Sequence, residues 1–253
     1  MTHRNIAFRG LFFSLLLSVC VFASQSSRAS PPIGAVVQSS DYDAVKGVTT
    51  VHIVNTSHKE ISALNLSFHV NYPDGRVSGP AEFGLDFLEG VIQGIGGFAP
   101  GAVHNQEFLG QEGPVQATVD MVVYADGTAD VLNERAFRRL MEGRKASVLA
   151  MHKVDELLNK ALADPAERHP SSRVVAELKS LVAAMEQQKI ADDGAAMYGS
   201  TLQQAIQDIS NKPQSPAGRS EREDNLLRAL IKTHGDHISI TMRHTELVKV
   251  LPP

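Results

Sequence analysis

Strict alternation of apolar and polar residues is the clearest pattern in this chain, and it occurs twice in the first half. Within the segment 48–72, the apolar positions of one face are Leu64, Leu66, Phe68, Val70 and Tyr72. In the segment 115–125 they are Val115, Ala117, Val119, Met121 and Val123. Because successive side chains of a strand point to opposite faces, both segments are predicted to be strands with one buried face. Each strand needs a second layer to cover that face.

Shorter apolar runs add further strands, so residues 34–130 are predicted to form an antiparallel β-sandwich of six or seven strands. The additional strands are predicted at 34–38, 48–54 and 102–108. The acidic segment 39–46 is predicted to be a turn. Residues 83–97 mix glycines with large apolar residues, which indicates a loop-rich excursion with a short strand or helical turn.

One connection carries a specific prediction. Residues 55–59 are polar and separate the strand 48–54 from the long strand that follows, which favours a β-hairpin between the two. His52 and His69 would then lie on paired strands. A solvent-facing pair is favoured there over a pair of metal ligands.

From about Leu132 the apolar period changes from two to 3.6, so residues 131–253 are predicted to be a helical region and the fold class to be α+β. Helices are predicted at 134–162, 172–189, 195–210 and 220–234. Ser220 and Glu223 have the spacing of a capping box at the start of the last helix. After Gly235 the apolar residues alternate again, and both strand and helix remain open for the tail.

The first residues have the three parts of a secretory signal: a basic start, an apolar run from Leu11 to Ala23, and small residues before Ser24. The expected processing is cleavage after Ala23, which makes residues 1–23 the signal peptide and 24–33 a disordered leader. The apolar run is shorter than the roughly 20 residues that a membrane-spanning helix needs. The protein is therefore predicted to be secreted or periplasmic, with no membrane span after processing.

Cysteine and charge narrow the possible functions. The chain has 1 cysteine, Cys20, so cleavage after Ala23 leaves a mature protein without cysteine. Disulfides, thiol catalysis and cysteine-bound zinc are then excluded. Residues 37–130 contain 12 acidic and 3 basic residues, whereas residues 131–253 contain 16 and 18. Neither half has the basic footprint of a nucleic-acid-binding protein, so we expect no nucleic-acid partner.

Among the 10 histidines, His234, His237 and His244 are the candidates for a metal site. His234 and His237 are three residues apart with Gly235 between them, which is not the spacing of a His-Glu-x-x-His zinc helix. A polar helix end and a solvated tail are the favoured reading. The segment Asp41–Asp43 offers two carboxylates for calcium, fewer than the ion requires, so no metal is predicted.

Other catalytic motifs are missing. The glycines at 94–97 are followed by no lysine, so they do not form a phosphate-binding loop, and we expect no cofactor. The sequence contains no Gly-x-Ser-x-Gly nucleophile elbow. Catalytic residues therefore stay unknown, and an enzyme is the less favoured class.

One helix face is basic and carries Arg135, Arg138, Arg139, Arg144 and Lys145. Three interpretations remain open for it. The face is solvated, or it docks on the acidic β-region of its own chain, or it binds an acidic partner.

Three short motifs carry a resemblance. They are Val54–Ser57 followed by Ile61–Ala63, the turn Phe98–Gly101, and Val122–Ala129 before a long helix. In these motifs residues 48–150 resemble uncharacterised secreted bacterial proteins with an immunoglobulin-like β-sandwich. The resemblance implies a fold and no activity.

Two function classes follow. The first is a non-catalytic binding or scaffolding module whose partner is an unknown envelope or extracellular protein. The second is a periplasmic hydrolase or metal-dependent enzyme with a site between the sandwich and the helices.

Overall fold

The computed structural model describes residues 33–188, 193–211, 218–246 and 248–250, all within one compact unit, Ile33–Pro253. The predicted signal peptide at 1–23 and all but the last residue of the leader lie outside the described residues. No helix of the described part is long and apolar enough to cross a membrane.

The described residues form eight strands and five helices, with the β-region first and the helices after it. The strands are β1 (Ala35–Asp43), β2 (Val48–Asn55), β3 (Ile61–Val70), β4 (Ala81–Asp86), β5 (Val103–Leu109), β6 (Val115–Tyr124), β7 (Thr128–Val131) and β8 (Lys249–Val250). The helices are α1 (Leu88–Ile92), α2 (Glu134–Ala163), α3 (Pro170–Gln188), α4 (Asp193–Ser210) and α5 (Glu221–Glu246). The α+β class is confirmed.

The strands divide into two sheets that share a hydrophobic core. One sheet has the order β1-β2-β5 and the other the order β4-β3-β6-β7-β8. All pairs are antiparallel except β7 with β8, through which residues 249–250 return to the sheet. Val51 and Ile53 from the first sheet meet Leu64 and Leu66 from the second in one fully buried cluster.

The predicted hairpin between β2 and β3 is wrong, because the two strands belong to different sheets. A hairpin would have placed the apolar faces of β2 and β3 in one layer with nothing to cover them. Because the chain crosses to the second sheet, the apolar face of each strand packs against that of the other. Asn55, fully buried, holds the crossover. Its Nδ2 donates to the carbonyls of Lys59 and Phe98, both at 2.8 Å, and its Oδ1 accepts from the Ser57 N–H and hydroxyl at 3.0 and 2.7 Å.

The two strand histidines are consequently not neighbours. The ring of His52 makes hydrogen bonds with Asp41 and Asn105, both 2.8 Å away. His69 lies in the other sheet and bonds Gln116 at 3.0 Å. β1 continues to Asp43 through the segment predicted to be a turn, and it pairs there with β2.

The predicted face of β6 changes side in the middle of the strand. The register with β3 shifts between Val119 and Met121, so Asp120 is the extra residue of a β-bulge. Val119 and Val122 both face the core between the sheets, while Met121 and Val123 point to the opposite side. Alternation gave no sign of this change because residues 121–124 are buried on both faces of the strand.

Helix α2 covers that opposite side of the larger sheet. Ala136 and Met141 pack there against Ala63, Met121 and Val123. Beyond the sheet, α2 forms a separate core with α3, α4 and α5, in which Val154, Leu158, Leu178, Leu202, Ile209 and Leu227 are fully buried. The predicted bounds of α2, α3 and α4 are confirmed to within two residues.

The fourth predicted helix, α5, is much longer than expected. It passes through Gly235 and ends at Glu246. Gly235 is exposed and costs about 1 kcal/mol relative to alanine. The burial of Ile238 and the bond of His234 with Asp155, both on the inner side of the helix, outweigh that cost. The inner side is partly polar, so its helical period was not visible as an apolar stripe.

The capping box at the start of α5 is half confirmed. Ser220 Oγ accepts from the backbone N–H of Glu223 at 3.2 Å. The Glu223 carboxylate is buried and instead accepts from the N–H and hydroxyl of Ser171, at 3.2 and 2.5 Å, near the start of α3. One side chain thus joins the first turns of two helices.

Candidate functional site

A cleft of about 680 Å³ lies between the larger sheet and the helices. Its floor comes from β3, β4 and β6, and its walls come from α1, α2, α4 and α5. The apolar part of the lining is formed by Leu85, Leu88, Met121, Leu140 and Met197. A cavity of this size and character is typical of sites that bind small molecules.

Small residues keep this cleft open. Six residues of α2 line it, and three of them are small: Ala136, Gly143 and Ser147, with Arg139, Leu140 and Arg144 between them. A Cβ atom at Gly143 would lie 3.8 Å from Met197, which is ordinary contact, so the backbone does not require glycine there. The cleft therefore exists because these positions lack large side chains.

Arg144 holds the elements around the cleft together. Its side chain is 3% exposed. Nε and Nη2 donate to the two carboxylate oxygens of Asp86 at the end of β4, at 3.1 and 2.9 Å, while Nη1 donates to the carbonyl of His244 near the end of α5 at 3.0 Å. Nη2 also lies 3.5 Å from the Ser62 carbonyl in β3. One guanidinium thus joins α2, both strands and α5.

A second polar joint anchors the start of α2 to the sheet. The carboxylate of Asp120, in the β6 bulge, accepts from the side chains of Asn65 and Asn133, both at 2.9 Å, and from the hydroxyl of Ser67. Asn133 is the N-cap of α2, and its Oδ1 accepts from the Ala136 N–H at 3.0 Å. The bulge therefore sets where the helix begins over the sheet.

The residues on the basic face of α2 have different environments, so different interpretations apply to them. Arg139 donates to Glu82 of β4 at 2.7 Å, and Arg144 pairs with Asp86, so internal docking is confirmed for these two. Arg135, Arg138 and Lys145 are exposed.

The candidate metal ligands do not converge. His234 Nδ1 lies 2.6 Å from Asp155 of α2, and His237 Nε2 lies 3.3 Å from Glu89 of α1. The third candidate, His244, is buried next to Arg144. Within 33–188, 193–211, 218–246 and 248–250, no three His, Cys, Asp or Glu side chains come together as a possible metal site.

Burial lowers the pKa of two of these histidines. For His237 the burial effect is opposed by Glu89. For His244 it is reinforced by the positive charges of Arg144 and Arg243. Burial also lowers the pKa of His104, which lies edge-on to Phe87 in the β-region.

Two polar atoms on α5 are buried without a hydrogen-bond partner: the hydroxyl of Thr241 and Nδ1 of His244. Thr241 is 3% exposed, and it lines the cleft. A buried hydroxyl without a partner is uncommon in native structures and costs about 1–3 kcal/mol. The wall of the cleft therefore carries an unused hydrogen-bonding group.

The other sequence candidates have local roles. Asp41 pairs with His52, and the Asp43 carboxylate accepts from the backbone N–H groups of Val45 and Lys46. In the glycine segment 94–97, the Gly97 N–H donates to the carboxylate of Glu60.

Comparison of the chain with protein-family models, with curated protein sequences and with solved structures found no match. The argument for function therefore depends on the site itself.

Sequence reasoning missed Thr241, and it named Arg144 only as one residue of a basic face for which docking on the β-region was one of three interpretations. Thr241 lies in the tail where helix and strand were both open. The one signal for the cleft was the run of small residues on α2, since Gly143 interrupts an otherwise regular helical pattern.

Replacement of the buried guanidinium is expected to weaken the whole fold. Arg144→Met should lower the free energy of unfolding by about 3 kcal/mol, because Asp86 and the His244 carbonyl lose their partner. Urea denaturation measures this. Arg138→Met, an exposed change on the same helix, is the control and should stay within about 0.5 kcal/mol of wild type. Equal effects of the two changes would contradict the role given to Arg144.

Acidification is expected to destabilise the protein through three histidines whose pKa values are lowered by full or partial burial. Because the folded-state pKa values of His104, His237 and His244 lie below the unfolded value of about 6.5, their contribution is complete above about pH 6.5 and is lost as the pH falls below it. The urea midpoint should therefore fall between about pH 7 and about pH 5. His244→Leu should reduce that fall, and an unchanged slope would remove His244 from the explanation.

Proposed function

We propose that this chain is an extracytoplasmic, non-catalytic binding protein in which an immunoglobulin-like sandwich serves as scaffold and the cleft under the helices is the binding site. The strand order supports the scaffold. Lettered along the chain, β1, β2 and β5 correspond to A, B and E, and β4, β3, β6 and β7 to C′, C, F and G. Sheets of this composition are the two layers of an immunoglobulin-like fold. The helices are an addition that covers the outer face of the second layer.

The cleft is the observation that carries the proposal. It offers about 680 Å³ and a lining in which half of the residues are apolar or glycine and half are polar or charged, with the polar groups held at defined positions, which suits a small-molecule ligand. Its charged groups are tied to one another, as in the bidentate pair of Arg144 with Asp86. Groups held in this way support the walls of a site and are not available as catalysts.

A hydrolase is the second candidate, and one observation favours it. His237 and Glu89 form an imidazole–carboxylate pair at the cleft, as a general base and its orienting group do. Ser147, Ser200 and Thr241 supply hydroxyls in the same lining. The recorded bonds of Ser147 and Ser200 run to Thr201 and Met197, away from the imidazole, which is why binding is preferred. Ester hydrolysis that disappears in His237→Asn would reverse this preference.

The extracytoplasmic location rests on residues 1–23. An envelope or extracellular component is accordingly the proposed source of the ligand or protein partner, with no role for nucleic acid. Expression in a bacterial host should release protein whose intact mass begins at Ser24, because the small residues before it suit signal peptidase. A mass that retains Met1 in the cytoplasmic fraction would contradict export.

Filling the cleft is expected to abolish binding. Phenylnaphthylamine, an uncharged probe that fluoresces in apolar surroundings, should bind the mature protein. Gly143→Leu should weaken its binding at least about tenfold, since the side chain extends toward Met197 and into the cleft. Gly235→Leu is the matched control on an exposed helix face with open space around it, and it should bind as wild type does.

Two outcomes would contradict the proposal. One is an absence of probe binding to the folded wild-type protein. The other is equal binding by Gly143→Leu and Gly235→Leu, which would place the probe elsewhere. Circular dichroism and thermal melting of both variants show whether the fold is retained.

A further inference from the structure

We infer that the cleft takes an uncharged amphiphile, a molecule with an apolar body and one alcohol, ester or amide group, and that the Thr241 hydroxyl makes the hydrogen bond to that group. This inference rests on the proposed binding function and specifies its ligand class. It follows from three features of the lining: carboxylates that already have donors beside them in the protein, one unpartnered hydroxyl, and a set of apolar side chains around it.

Three carboxylates line the cleft, and each has a donor beside it. The pairs are Glu82 with Arg139 at 2.7 Å, Asp86 with Arg144 at 2.9 Å and Glu89 with His237 at 3.3 Å. A ligand anion would have to compete with a carboxylate for its guanidinium, and a charge that enters an apolar cleft without a partner loses its hydration.

The balance of these groups disfavours an anion further. With His237 neutral, since burial lowers its pKa, three carboxylates face two guanidinium groups. The cleft as a whole is then slightly negative. Fatty acids and other acidic amphiphiles are therefore expected to bind worse than neutral molecules of the same length.

Thr241 supplies what a neutral polar group needs. Its hydroxyl both donates and accepts, it is buried in the lining, and it has no partner in the protein. An alcohol, an ester or an amide satisfies that hydroxyl without introducing charge. The surrounding apolar residues, among them Met121 and Met197, suit a flexible hydrocarbon body because methionine side chains adapt to irregular shapes.

Titration calorimetry of the mature protein at neutral pH with decanol, decanoate and decylammonium tests the class, because the three share one alkyl chain. Decanol should bind, and decanoate should bind at least about tenfold more weakly. Thr241→Val should weaken decanol binding about three- to tenfold, the loss of one hydrogen bond. Thr241→Ser, which keeps the hydroxyl, should restore it, and Thr233→Val, an exposed change on the same helix, should have no effect.

A second measurement separates binding from folding. Thr241→Val should leave the melting temperature of the unliganded protein unchanged or raise it by about 2–4 °C, because it replaces an unpartnered buried hydroxyl by a methyl group. A variant that is more stable and yet binds decanol less well is the expected signature. A clear loss of stability would mean that the hydroxyl has a structural role, and would overturn the inference.

The remaining outcomes distinguish the two proposals. If phenylnaphthylamine does not bind the folded wild-type protein, the proposed binding function fails. If it binds but decanol does not, or if decanoate or decylammonium binds as well as decanol, or if Thr241→Val binds decanol as wild type does, the ligand class is wrong and the binding function stands.

Discussion

The arrangement of helices on sheet depends on one buried guanidinium. Arg144 reaches from α2 to Asp86 at the end of β4 and to the backbone near the end of α5. A guanidinium removed from water is tolerated only where acceptors surround it. Displacement of β4 or α5 would leave the buried charge without an acceptor, so the positions of α2, β4 and α5 depend on one another. Its neutral partners are backbone carbonyls, which ties the charge to the position of the chain itself. The cleft is the space that this fixed arrangement leaves.

Where α2 covers it, the larger sheet is buried on both faces, and this explains the bulge in β6. Leu64 and Leu66 face the other sheet, while Ala63 faces α2. In a strand that is covered on both sides, apolar residues are buried whichever face they point to. The bulge at Asp120 can therefore reverse the facing of the residues after it without exposing them. The extra residue then serves a second purpose, since its carboxylate and carbonyl hold the N-terminus of α2. The bulge in β6 thus also determines where α2 begins.

The cleft above this sheet has features that lower the stability of the fold. Gly143 lies in the middle of a 30-residue helix, where alanine would be more favourable by about 1 kcal/mol. The Thr241 hydroxyl is buried with no partner in the protein. Both features cost folding free energy at the same cleft, and such local costs concentrate where a protein binds something. Their coincidence is the physical basis for treating the cleft as a site.

The sequence by itself determined what depends on local periodicity: the strands that alternate, the helices α2, α3 and α4, and the order of a β-region followed by helices. These patterns are strong because each element has one apolar face that must be buried. Only the tertiary structure decided the partners. It separated β2 from β3, moved Met121 to the helix side, and extended α5 through Gly235 along a partly polar inner face. Pairing, two-sided burial and the satisfaction of polar groups such as Arg144 depend on residues far apart in the chain, and periodicity along one segment contains no information about them.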